Sequence, residues 1–327
     1  MRVLLAGFLA CAALCGCGKE TSGRTPVTLY EVAHSIFYAP QYATIELGYF
    51  QEEGIDLTLV NGAGADKVMT AMLAGDADIG FMGSEASIYT YAQGAEDYAV
   101  NFAQLTQRAG NFLVARQPDP DFTWQKLKGS RVLGGRAGGM PQMVFEYILK
   151  KNGIDPAKDL TIDQSISFGL TAAAFTSNDS DYTVEFEPFA TALEQEGNGY
   201  VVASLGKDSG YVPYTAYSAK KSYLEKHPEI IQRFTNAIQK GLDYVNTHSA
   251  AEIAETIKPQ FQETDTEKIK IIVERYKEQD TWKGNTVFEK ESFELLENIL
   301  EEAGELDTRV PYEDLVNTGF AKEAAAQ

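Results

Sequence analysis

Three short stretches hold the residues best suited to chemistry: HSIFYAPQ (34–41), GSEAS (83–87) and GGRAGGMPQ (134–142). Each sits where an apolar strand gives way to a run with helical spacing. A helix start carries N–H groups with no intrahelical partner and the positive end of the dipole, so it can hold an anion or a polar ligand. Pro40 and Pro141 suit first helical positions. Ala39 and Met140, just before them, offer no side-chain oxygen to cap those N–H groups, whereas Ser84 is a plausible cap. His34, Phe37, Tyr38, Gln41 and Tyr42 surround the first start, and Gly138 and Gly139 leave the backbone open at the third. The polar side chains could donate or accept hydrogen bonds, and the rings could stack on a flat ligand.

Catalytic patterns are weak by comparison. His34, His227 and His248 are far apart and have no HExxH or paired-cysteine company. GSEAS lacks the second glycine of a nucleophile elbow. GGRAGG is neither G-x-G-x-x-G nor a P-loop, and NDSDY (178–182) lacks calcium-loop spacing. These observations predict a binder with no metal and no cofactor.

The surrounding elements alternate strand and helix. VTLYEV, IDLTLV, ADIGFM, AVNFAQL and NFLVAR read as strands, and Pro40–Leu47, ADKVMTAMLAG, SEASIYTYAQG and PQMVFEYILKKNG as helices, several closed by glycine. Gly64 precedes the second of these helices and joins the candidate set. From about Ser222 the chain reads as amphipathic helices, with Ile230, Phe234, Ile238 and Val245 on one stripe. The pattern predicts an α/β fold with mostly parallel sheets and a helical C-terminal region.

The 327-residue chain carries a net charge of −19, which argues against nucleic acid and polybasic membrane contacts. It opens MRVLLAGFLACAALCGC, with one basic residue and then an apolar run of signal-peptide length. Leu14-Cys15-Gly16-Cys17 resembles a bacterial lipobox, which makes Cys17 the expected lipidation site and 18–26 a tether. All three cysteines lie in this leader, so the mature chain has neither a disulfide nor a cysteine nucleophile.

SIFYAPQYATIELGYFQEEGIDLTL, GADKVMTAMLAGDADIGFMG and FEPFATALEQEGNGYVVASL together resemble the substrate-binding proteins of ABC transporters. The branch is the one that handles alkylsulfonates, taurine, nitrate and thiamine-pyrimidine precursors. The resemblance implies a two-lobed periplasmic-binding-protein type II fold: lobe 1 from 27–107 and 212–327, and lobe 2 from 108–211. It also implies a ligand clamped between the lobes, permease and ATPase partners, and a monomer anchored outside the cytoplasm. Glu85, Phe186, Glu187 and Tyr214 fall where the family lines its cleft. A carboxylate there suits an amino group on a heterocycle better than a sulfonate, which it would repel. Tyr42 and Tyr214 read equally well as core. The leading expectation is an amine-bearing aromatic vitamin precursor. The alternatives are an alkylsulfonate, a solute-sensing lipoprotein and a pyrimidine-synthesis-type enzyme of the same fold.

Overall fold

The computed structural model describes residues 23–135, 137–166 and 169–327. The leader with Cys17, and Arg136 of GGRAGG, lie outside the described residues.

Among the described residues, ten strands form two five-stranded sheets. The first contains β1 (Thr25–Glu31), β2 (Ile55–Asn61), β3 (Ile79–Met82), β4 (Ala99–Thr106) and a late arrival, β10 (Thr215–Lys220), in the order β2-β1-β3-β10-β4. The second contains β5 (Asn111–Ala115), β6 (Arg131–Leu133), β7 (Thr161–Asp163), β8 (Tyr182–Phe186) and β9 (Tyr200–Ser204), in the order β7-β6-β8-β5-β9. The two orders correspond position by position. β10 runs antiparallel to both β3 and β4, and β5 antiparallel to both β8 and β9. In each sheet, therefore, four strands point one way, and the strand arriving from the other sheet points back. The chain passes between sheets twice, at 107–110 and at 205–214.

β3 is buried at every position, as a central strand covered on both faces must be, whereas only Ile55 is buried on the edge strand β2. Inward residues of β1 alternate Val27, Leu29, Glu31, so the last of them brings a carboxylate into the core. This buried charge needs partners.

The helix from Ala39 to Glu46 is entered through a short turn. A 3-10 turn, Ile36–Tyr38, precedes it, and Ser35 Oγ accepts the Phe37 N–H at 3.3 Å. The helix itself has no side-chain cap, as expected of a start at Pro40, and Ser35 caps only the turn before it. At the third stretch Gly139 is the cap residue and Met140 the first helical one. Gly138, at φ +75°, donates its N–H to Gln142 Oε1 at 2.8 Å.

The long helix Pro228–Thr247 buries Ile230, Ile231, Phe234, Ile238, Leu242 and Val245 along one stripe. It crosses helix Ala39–Glu46 at Gly241, where an added Cβ would overlap Thr44 Oγ1 and the Pro40 carbonyl. The C-terminal region touches both halves. Helix Lys290–Ala303 packs on helix Met140–Lys151 of the second half. The segment after helix Thr266–Glu278 lies along the first crossover, with the Gln107 N–H donating to Thr281 O at 2.8 Å and Gln279 Nε2 to Ala109 O at 3.0 Å. Among the described residues no helix is long and apolar enough to cross a membrane.

Because Gly241 lets two helices touch, Gly241→Ala should lower stability by about 1–3 kcal/mol despite alanine's better helix propensity. The urea midpoint should fall. An unchanged or higher midpoint would mean the helices do not meet there.

Candidate functional site

The carboxyl ends of β1, β3 and β8 face the region where the two halves meet, and the aromatic residues gather there. Phe37 is the centre. Its ring lies 5.1 Å from Tyr38, 5.7 Å from Tyr214, 5.2 Å from Tyr276 and 6.0 Å from Phe186, measured between centroids. Phe37 and Tyr38 belong to the 3-10 turn after β1, Phe186 ends β8 in the other half, and Tyr214 stands just before β10. The cluster therefore spans both sheets and a crossover. Gly110, on the other crossover, permits this: a Cβ there would come within 2.7 Å of Phe37 and 2.8 Å of Phe186. A second link joins the halves, where the Tyr89 hydroxyl donates to Met143 Sδ at 3.6 Å.

Polar groups in this spot fall into two kinds. Ser84 begins helix Glu85–Ala92, yet its hydroxyl donates to Pro213 O at 2.7 Å. Ser84 therefore fixes the residue before Tyr214 and leaves the helix N–H groups uncapped by its side chain. The Tyr38 and Tyr214 hydroxyls are held neutral: burial raises both well above the ordinary tyrosine value, with carboxylates including Glu85 adding to the effect. Glu85 is itself buried beside them.

Three buried polar atoms here meet no hydrogen-bond partner: the Tyr214 hydroxyl and both amide atoms of Asn111. Asn111 is directly opposite Phe186 in the β5–β8 ladder, so the two side chains share one face of the sheet. Leaving such a group buried and unmet costs about 1–3 kcal/mol, which marks the spot as one that a ligand can complete.

The other expected contacts resolve differently. Gln41 is fully buried, with Nε2 donating to Glu31 Oε2 at 2.7 Å and Oε1 accepting from the Tyr217 hydroxyl at 2.9 Å. The Tyr42 hydroxyl also donates to Glu31 Oε2, at 2.8 Å. His34 Nδ1 faces Glu31 Oε1 at 2.8 Å and Nε2 faces Gln260 O at 2.9 Å. His34 and Gln41 thus serve the buried Glu31 carboxylate and hold the loop. Glu187 is likewise engaged. Its carboxylate accepts from the Thr191 N–H at 2.9 Å and Thr191 Oγ1 at 3.0 Å, and pairs with Arg275 Nη1 at 2.6 Å. The carboxylate is buried and paired within the fold. Arg275 also reaches Glu194 at 2.5 Å, so this ion pair ties helix Thr266–Glu278 to the second half. Gly64 closes the loop after β2 and donates to Val32 O at 3.0 Å, Gly138 and Gly139 shape the start of helix Met140–Lys151, and Met140 is core.

Asn111 and Tyr276 also stand at this junction, and little local in the sequence marks them for it. Glu185, one residue before Phe186, is bonded by Thr171 and Thr183 and pushed up to about 7 by burial. A separate groove of about 710 Å³ lies beside β9, lined by Phe112, Trp124, Ser204, Asp208, Arg275 and Gln279. Among the described residues no three histidine, cysteine or acidic side chains form a metal site.

Two corresponding five-stranded sheets joined by two crossovers define the type II class of periplasmic binding proteins. The model of NMT1/THI5-like proteins matches residues 36–251, and the chain belongs to that family. It is 45% identical over 315 residues to YtlA of Bacillus subtilis, designated a binding protein, covering 96% of this chain and 94% of that one. It is 23% identical over 224 residues to the Saccharomyces cerevisiae 4-amino-5-hydroxymethyl-2-methylpyrimidine phosphate synthase THI11, covering 64% and 63%. Among solved structures, the alkanesulfonate-binding protein SsuA of Xanthomonas axonopodis bound to MOPS superposes with TM-score 0.71 at 16% identity, covering 90% and 98%.

Both ring nitrogens of His34 face acceptors, which only the imidazolium satisfies. Its pKa is raised, first by the Glu31 bond. The stabilisation is therefore full below the unfolded value near 6.5 and is lost as pH rises through the higher folded value. The Tm difference between the wild type and His34→Gln should shrink from pH 6 to pH 9, whereas a constant difference would mean the ring is neutral throughout.

Proposed function

We propose that the chain is the solute-capturing component of an ABC importer, held outside the cytoplasm by lipid on Cys17, and that its solute is a flat, amine-bearing heterocycle of the thiamine-pyrimidine type. The observation that carries the reading is the ring cluster of Phe37, Tyr38, Phe186 and Tyr214, contributed from both halves. A flat ligand gains apolar burial and ring contacts there, each aromatic pair adding roughly 0.5–1.5 kcal/mol beyond area. Neutral hydroxyls and a carboxamide supply directional bonds. The relation to pyrimidine phosphate synthases supports the same ligand chemistry. Capture between the halves, release to a permease and ATP hydrolysis by a partner subunit follow from the class.

Binding without turnover is the simpler reading. His34 is committed to Glu31 and Gln260, and Glu187 to Arg275, which leaves them no evident part in acid–base chemistry. A sulfonate is the second reading. It is favoured by the likeness to SsuA and by helix starts at Glu85 and Met140 that lack a side-chain cap.

The soluble chain from Gly18 should be tested by thermal shift against 4-amino-5-hydroxymethyl-2-methylpyrimidine, thiamine, taurine and longer alkanesulfonates. A ligand at a hundred times its Kd adds about 2.7 kcal/mol, a rise of a few degrees. The pyrimidine should raise Tm and be recovered unchanged by mass spectrometry. A rise with sulfonates alone would replace the heterocycle by an anion, and recovery of a converted pyrimidine would make the chain an enzyme.

A further inference from the structure

Asn111 is anomalous as a structural residue. Asparagine is a poor strand former, yet it opens β5, the strand by which the chain enters the second sheet. It is completely buried, and neither Nδ2 nor Oδ1 has a partner. Its backbone already pairs with Phe186, so the side chain adds nothing to the ladder. Several other buried polar side chains near the junction are engaged: Ser84 on Pro213, Glu187 on Arg275 and Thr191, and Gln279 on Ala109, Ser204 and Thr281. Gln104 Oε1 and Arg108 Nε, on the approach to the crossover, also lack partners, but Gln104 Nε2 and Arg108 Nη1 are bonded. An unmet carboxamide in such company is a defect for the empty fold and an asset for a bound one.

A carboxamide presents a donor and an acceptor side by side in one plane, whichever way the amide is turned. Its complement is an acceptor adjacent to a donor on a flat edge, as in the ring nitrogen and exocyclic amine of an aminopyrimidine. Asparagine reads adenine by this pairing in nucleic-acid recognition. Sulfonate and nitrate oxygens only accept, so they would satisfy Nδ2 and leave Oδ1 facing negative charge.

Position supports this assignment. Asn111 shares a face with Phe186, whose ring is 6.3 Å from Tyr214 and 6.0 Å from Phe37. A planar ligand against these rings turns its edge to the carboxamide. The unmet Tyr214 hydroxyl is then a third polar contact for a ring substituent.

We infer that Asn111 is the specificity-determining residue of the site, reading paired donor and acceptor atoms on the edge of a planar nitrogen heterocycle. The inference rests on the reading that solute is held at the junction of the halves.

The test is isothermal titration of wild-type, Asn111→Leu and Asn111→Thr chains with 4-amino-5-hydroxymethyl-2-methylpyrimidine, its analogue lacking the amino group, and taurine. The wild type should prefer the amino compound by about five- to 150-fold, the range of a bidentate contact. Both variants should reduce that preference to within about threefold while keeping the ligand-free Tm at or above the wild-type value, since removing an unmet amide relieves the empty fold. Threonine, a good strand former, covers the case in which leucine is too apolar to fold. Variants that still discriminate as the wild type does would overturn the role of Asn111 and leave the heterocycle reading intact. A wild type that binds taurine and neither pyrimidine would overturn both. A lowered Tm with unchanged discrimination would make Asn111 structural.

Discussion

Each half of this molecule contains one strand that belongs, by chain order, to the other. β5 and β10 run against their neighbours because the chain must return into a sheet whose other strands all point the opposite way. This constraint places the beginnings of β5 and β10 beside the ends of β8 and β3, where loops and helix starts gather. Asn111 and Tyr214 are the first residue of one returning strand and the residue just before the other. Phe37 and Phe186 meet between them because Gly110 on the first crossover has no Cβ to hold them apart.

Buried polar groups sort into those that serve the fold and those that await a partner. Glu31 ends β1 facing inward, and three side chains, His34, Gln41 and Tyr42, are spent on it. Their bonds fix the loop that carries Phe37 and Tyr38, so the network acts on the site through the backbone. Glu187 and Arg275 do comparable work on the other side, joining the C-terminal helices to the second half. Removing one member of such a pair strands a buried charge, which is costlier than never having placed the pair. Asn111 and the Tyr214 hydroxyl carry no such duties.

Much of the fold was legible in the sequence because it depends on local signals. Apolar alternation marked the early strands, and Gly48 and Gly75 adopt the left-handed conformation that closes their helices. The gathering of Phe37, Tyr38, Phe186 and Tyr214 followed from family-like placement beyond strand ends. What stayed hidden depends on distance along the chain. Arg275 lies 88 residues from Glu187, so the carboxylate looked available when it was taken. Nothing local shows that Glu31 points inward at the strand end and takes bonds from His34 and Gln41. The 3-10 turn that leads into the helix at Pro40, with Ser35 as its cap, also left no clear local mark. Asn111 carries only a weak local mark, asparagine at the head of a strand, and its want of partners becomes conspicuous only once its surroundings are known.

The central claim is that a flat ligand completes the unmet polar atoms at the junction of the halves. A crystal structure of the soluble chain grown with 4-amino-5-hydroxymethyl-2-methylpyrimidine tests it most directly. Ring density should lie against Phe186 and Tyr214, with the amino edge within hydrogen-bond distance of Asn111. Density in the groove beside Trp124 instead, or an Asn111 amide still unpartnered with ligand bound, would contradict it.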